Sequence, residues 1–218
     1  MRKLILMSIL LLSISKSFAQ NQILTVEEDQ DYLFIGVENR IQFSDPNVKQ
    51  ADIVASCNAV AGATITANDN NFDVRVTSLT EGSELCSISF KNKKTGVLLK
   101  KMDFQVRRIP SPVVCLSNKR SDGMISSGEM KIQQGLFVIM GDLFIKDCCS
   151  VQNFTLTFTG PGQNPVTFEN NGAKFEDGAL RLIQLARPGA IYQFSNVRGR
   201  CPGDSVSRQM NGMSFTVR

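Results

Sequence analysis

The 218-residue chain contains no histidine and no tryptophan. Without histidine, the Ser-His-Asp and Cys-His nucleophile systems are excluded, with every histidine-ligated zinc or haem site. Nothing marks a carboxylate pair for glycoside hydrolysis, and no tryptophan is available for sugar stacking. Long apolar runs are scarce as well. The only one is Leu4 to Ile14, eleven residues broken by Ser8 and Ser13, against roughly 20 needed to span a bilayer. Hydrophobic residues make up 42% and charged residues 20%, the balance of a soluble globular chain.

The apolar run follows Arg2 and Lys3 and precedes the small-residue segment Ser17-Phe18-Ala19. Basic start, short core and small residues at the cut define a secretory signal peptide over residues 1–19. Removal takes Arg2, Lys3 and Lys16 and no acid, so 21 basic residues face 20 acidic ones, a net charge of +1. That balance lacks the basic excess usual in a nucleic-acid binder. The densest basic group is Lys91, Lys93 and Lys94 beside Thr95-Gly96, read as a solvated hairpin tip. The expected location is the periplasm or beyond, with no membrane span after cleavage.

Six cysteines in an exported chain read as disulfides: Cys57, Cys86, Cys115, Cys148, Cys149 and Cys201. Ile53, Ala55 and Cys57 share one strand face, as do Cys86, Ile88 and Phe90. Both thiols then point to the apolar side, and a Cys57–Cys86 bridge across a sandwich is expected. Closing that loop contributes roughly 3–4 kcal/mol in the chain-entropy picture. Cys148 and Cys149 are adjacent and point oppositely on a strand, so they pair with Cys115 and Cys201, in either order. A four-cysteine zinc site lacks any C-x-x-C spacing.

Two β-rich halves flank a proline connector. Tyr32 to Val37 reads as a buried strand; Phe72, Val74 and Val76 alternate with Asp73, Arg75 and Thr77; Leu85 to Lys91 and Leu98 to Arg107 follow. Turns are expected at Asp45-Pro46, Asn68 to Asn71, Glu81-Gly82 and Thr95-Gly96. About seven short strands at this spacing predict an immunoglobulin-like sandwich over 20–106. Ile109-Pro110-Ser111-Pro112 predicts a stiff linker over 107–112. The remaining 113–218 form a β-rich domain with one or two short helices. Ser126 caps the first, which runs over Glu129 to Gln134 and ends at Gly135. Phe154, Leu156 and Phe158 face one way along the strand Val151 to Thr159. Gly160-Pro161-Gly162 turns the chain back into Val166 to Phe168. Asp177 to Ala186 is the second helix, with Leu182, Leu185 and Ala186 near one face, stopped by Arg187-Pro188-Gly189. Ile191 to Val197 and Ser214 to Val217 close the domain. The fold class is mainly β, in two consecutive domains.

The search for chemistry yields turns and caps. Asp69, Asn71 and Asp73 occupy the first three ligand positions of a calcium loop, but the required glycine is Val74 and the closing glutamate is Thr80. Asp122-Gly123 and Asn171-Gly172 are turn signals. Ser126 and Ser127 have no G-x-S-x-G context and no base to activate them. Met210 and Met213 read as core filling. No catalytic, cofactor-binding or metal residue is assigned, and no cofactor is expected.

Several motifs resemble a known family. Tyr32-Leu33-Phe34-Ile35-Gly36-Val37-Glu38-Asn39 resembles the opening of the penultimate domain of GldM/PorM-type proteins. Phe104-Gln105-Val106-Arg107-Arg108-Ile109-Pro110-Ser111-Pro112 resembles that domain's exit strand and linker. Asn171-Gly172-Ala173-Lys174-Phe175 is similar to a third motif, as is the following order of helix, Arg-Pro-Gly turn, strand and terminal Ser-Phe strand. The resemblance implies a tail module of the gliding-motility and type IX secretion machinery, a partner in the periplasm or outer membrane such as a secretion-ring component, and homodimers. The membrane motor segment of the family is not matched here. The sequence assigns no interface residue. The alternative reading is an adhesin-like surface sandwich; an enzyme would have to work with carboxylates or main-chain groups alone.

Overall fold

The computed structural model describes residues 23–26, 30–57, 62–77, 85–116, 121–140 and 149–218. The proposed signal peptide, the Glu81-Gly82 turn and Cys148 lie outside the described residues.

Among the described residues, eight strands build the first half: β1 (Ile23–Thr25), β2 (Tyr32–Phe34), β3 (Glu38–Gln42), β4 (Ile53–Cys57), β5 (Ala63–Asn68), β6 (Asn71–Val76), β7 (Leu85–Asn92) and β8 (Leu98–Arg107). They form two sheets, ordered β1-β3-β6-β5 and β2-β8-β7-β4. The period-two pattern explains the packing. Phe72, Val74 and Val76 point inward from β6, and Cys86, Ile88 and Phe90 point inward from β7, into one core. Phe90 contacts Phe72 and Phe43, with ring centroids 5.0 and 4.3 Å away. Burying each such ring contributes about 2–3 kcal/mol. On the outer face of the first sheet, Arg40 bridges cross-strand to Asp73 with Nε–Oδ1 at 2.8 Å and Nη2–Oδ2 at 3.0 Å.

One expected strand is interrupted. Tyr32 to Val37 is not continuous, because Ile35 and Gly36 turn the chain, with Gly36 at φ +83°. β2 therefore joins the second sheet, parallel to β8, while β3 crosses to the first. An apolar run alone carries no signal for that switch.

The second half contains β9 (Val113–Cys115), β10 (Gly123–Ile125), α1 (Ser127–Lys131), β11 (Phe137–Ile139), β12 (Ser150–Thr159), β13 (Val166–Asn171), α2 (Asp177–Gln184), β14 (Ile191–Arg200), β15 (Arg208–Gln209) and β16 (Met213–Val217). The main sheet runs β10-β16-β14-β12-β13, with β15 paired to β14; β9 and β11 make a separate pair. Phe154, Leu156 and Phe158 bury one sheet face against α1, α2 and their flanking residues. Met210 and Met213 lie in this core, as expected for filling residues.

Ser126 Oγ accepts the Glu129 N–H at 3.2 Å, the expected cap. The helix is shorter and earlier than expected: it ends at Lys131, and Gly135 bridges to Lys174 instead of terminating it. Helix α2 also differs. Its buried stripe is Ala179, Leu182, Ile183 and, just beyond, Ala186, whereas Leu185 is 53% exposed. That stripe is centred near Ala179 and Ala186, and position 185, at the cap just past Gln184, falls outside it.

Candidate interaction surface

The two cores meet at a third, smaller apolar cluster. Phe34, Val37 and Ile109 pack there with Cys149 and Cys201, which are joined in a disulfide. Gly36 and Gly203 allow the backbones to touch. A Cβ on Gly36 would lie 2.2 Å from Gly203 N, and one on Gly203 would lie 2.6 Å from Ile35 Cγ2. Both have positive φ, so glycine serves conformation and close approach together.

Charged side chains clamp the same junction. Arg208 donates from Nε to Asp204 Oδ2 at 2.8 Å and also contacts Oδ1. Its Nη1 donates to the Ile109 carbonyl in the connector at 2.8 Å. Arg108 donates to the Gly203 carbonyl at 2.9 Å. Burial opposes ionisation of Asp204, but Arg208, the Cys201 N–H and the nearby charge of Arg108 outweigh it and hold the carboxyl below its usual range. Sequence reasoning missed this clamp, because Arg108 and Arg208 are 100 residues apart.

The cysteine geometry refines the sequence reading. Cys57 and Cys86 do not face each other across the sandwich, since β4 and β7 are neighbours in one sheet. Cys57 lies opposite Ile88, diagonal to Cys86, and the Sγ atoms are 2.8 Å apart. Burial, then the neighbouring Cys57, pushes the Cys86 thiol far up, the opposite of a reactive cysteine. Of the two orders left open for the others, Cys149 takes Cys201. Cys115 is buried on β9. Among the described residues, no group of three or more Cys, Asp or Glu converges as a metal site. Asp69 forms the β5–β6 turn at φ 47°, and Asp73 is engaged by Arg40 and Asn68. The Ser126 hydroxyl caps α1 rather than facing a base.

Among the described residues, the main sheet of the second half leaves one face open. Across it, Thr157 stands opposite Thr167 on one side and Gln193 on the other, and Gln193 stands opposite Ser214. The next row is Glu169, Thr155 and Ser195. Thr155 Oγ1 donates to Glu169 at 2.8 Å and accepts from Asn196 at 3.2 Å. A shallow depression of about 460 Å3 lies at its margin, lined by Asp122, Gln193, Ser195, Gly212 and Ser214 among others. Such a face of short hydroxyl and amide side chains, fixed on strands, offers hydrogen bonds at low entropic cost.

Residues 110–218, half of the chain, match the family model of the GldM C-terminal domain. The chain belongs to the GldM C-terminal domain family. No protein of curated function matches it. Among solved structures, the tandem Ig repeats of Dlar are 9% identical, with 87% of this chain and 93% of that chain covered and a TM-score of 0.26. Mouse protocadherin-24 EC1-3 is 14% identical, covering 91% and 69%, with a TM-score of 0.23. DIP-gamma IG1+IG2 is 11% identical, covering 90% and 94%, at 0.24. Scores this low add nothing to the sheet pairings themselves, on which the mainly β fold stands. Among the described residues, no helix is long and apolar enough to cross a membrane.

Proposed function

We propose that the chain is an exported, non-catalytic adaptor that binds a protein partner through residues 113–218. In this reading residues 1–19 are a cleaved signal, 20–106 a sandwich domain and 107–112 its connector. The observation that carries it is the family match over 110–218. By the resemblance, the partner belongs to the outer-membrane-associated ring of the gliding and type IX secretion machinery. The open sheet face of Thr157, Gln193 and Ser195 is the surface that partner engages. The cysteines are proposed to be fully oxidised, with Cys57–Cys86 and Cys115–Cys148 beside Cys149–Cys201.

The test is mild crosslinking of the tagged mature protein in its native envelope, purification, and mass spectrometry of what is captured. Recovery of ring components, lost in a truncation lacking 110–218 and in a T157R/Q193R variant, is the expected result. A truncation that keeps every partner overturns the assignment to the second domain. Capture of surface glycans or host proteins instead points to the adhesin-like alternative.

A further inference from the structure

The hairpin joining β7 and β8 combines clustered lysines with exposed aliphatic side chains. Five lysines fall within residues 91–101: Lys91, Lys93, Lys94, Lys100 and Lys101, all exposed. Between them Val97 and Leu98 are 58% and 52% exposed. Asp52 pairs with Lys94 at 2.6 Å and Asp103 with Lys101 at 3.2 Å. Lys91, Lys93 and Lys100 form no ion pair with the described residues, so the apex carries uncompensated positive charge.

The apex is also built. Asn92 Oδ1 accepts the N–H groups of Lys94 and Thr95 at 2.9 and 3.2 Å. The Gly96 N–H donates to the Asn92 carbonyl at 2.8 Å, and the Lys93 N–H to the Asp52 carbonyl at 2.7 Å. Lys93 and Lys94 are thus held on a tight turn, with Val97 and Leu98 beside it and Lys91, Lys100 and Lys101 on the flanking strands. It sits at the end of the sandwich remote from the domain junction, because β8 runs ten residues from Leu98 at the tip to Arg107 at the connector, about 33 Å at 3.3 Å per residue.

We infer that this tip docks onto an anionic phospholipid bilayer, lysines on the headgroup phosphates and Val97 with Leu98 in the interfacial layer. Charge complementarity and the bare aliphatic apex argue together for lipid. Near a charged membrane each lysine strengthens binding about fivefold, and buried aliphatic area adds to it. A soluble polyanion has use for the amines and none for the aliphatic pair. The inference does not depend on the partner proposed above, which engages the other domain.

The experiment is flotation of the mature protein with vesicles of 30% phosphatidylglycerol in phosphatidylcholine, against pure phosphatidylcholine. We expect at least tenfold stronger partitioning onto the anionic vesicles, weakened by 300 mM NaCl. K93E/K100E lowers it at least tenfold, and V97S/L98S at least threefold. As the chain has no tryptophan, V97W supplies a single reporter whose emission shifts to the blue with anionic vesicles. All these positions are exposed, so each variant keeps the wild-type melting temperature. No partitioning, equal partitioning onto both vesicles, or full binding by K93E/K100E overturns the inference. Loss with the lysine variant but no change with V97S/L98S and no V97W shift also overturns it, and points to an acidic soluble ligand.

Discussion

Two asparagines with no exposed surface hold the chain's irregular segments. Asn39 Oδ1 accepts the Phe34 N–H at 2.8 Å, and its Nδ2 donates to the carbonyls of Phe34, Val37 and Val74 at 2.9, 3.2 and 3.1 Å. It thereby fastens the turn at Gly36 to both sheets. Asn170 does the same for the Asn171-Gly172 turn: Nδ2 bonds three local carbonyls, and Oδ1 accepts the Glu176 N–H ahead of α2. Alanine at either site leaves several buried backbone groups unpaired. A loss of about 2–4 kcal/mol is expected for N39A in urea denaturation; a loss under 1 kcal/mol would mean water replaces the side chain. Both residues fall inside or beside segments whose resemblance was legible. Their roles were not, because a buried asparagine and a turn asparagine look alike in sequence.

Local chemistry made most elements legible. Alternation marked β6 and β12, the Asn68 to Asn71 turn marked the start of β6, Gly160-Pro161-Gly162 marked the end of β12, and Ser126 marked the start of α1. Replacing its cap with alanine is expected to cost about 1 kcal/mol, read as a lowered urea midpoint at unchanged slope. Elements failed where partners decided them. Gly36 divides an apolar run because its neighbour across the junction is the Gly203 backbone. Alanine at Gly203 demands a strained positive φ and meets Ile35, so G203A is expected to cost more than about 1 kcal/mol and to loosen the contact between domains.

The clamp of Arg208, Asp204, Arg108 and Ile109 ties the segment after β8 to the second half of the chain. Trypsin reports on it directly, since Arg107 ends β8, one residue into the expected linker, and Arg108 is the first residue past the strand. R208A is expected to raise the cleavage rate there severalfold, while unchanged cleavage would show that the apolar cluster suffices. The acid limb follows from Asp204 and Asp73. Arg40 first, with help from Asn68 and against burial, holds Asp73 below its usual range; Asp204 is held low as well. A folded value below the unfolded one, about 3.9, gives stability that is full above that pH. It is lost as pH falls through the folded values. Melting temperature should therefore be flat near neutrality and fall below about pH 4, and D204N should fall less steeply. Thiol titration of the unreduced, denatured protein tests the disulfide scheme: no free thiol is expected, and two would mean that one of the two proposed pairs, Cys57–Cys86 or Cys115–Cys148, is reduced.

Residue order by itself determined the β class, the Ser126 cap, the turns at Asp45-Pro46, Asn68 to Asn71 and Thr95-Gly96, the apolar faces of β6, β7 and β12, and the family. These follow from period, local hydrogen bonding and steric limits, which act within a few residues. Tertiary structure alone decided that Cys57 and Cys86 share a sheet, that Cys149 joins Cys201, that Asp204 meets Arg208 and Arg108, and that lysines and bare aliphatics share one apex. Those outcomes depend on strand order and on contacts between segments up to about a hundred residues apart, for which local periodicity holds no information.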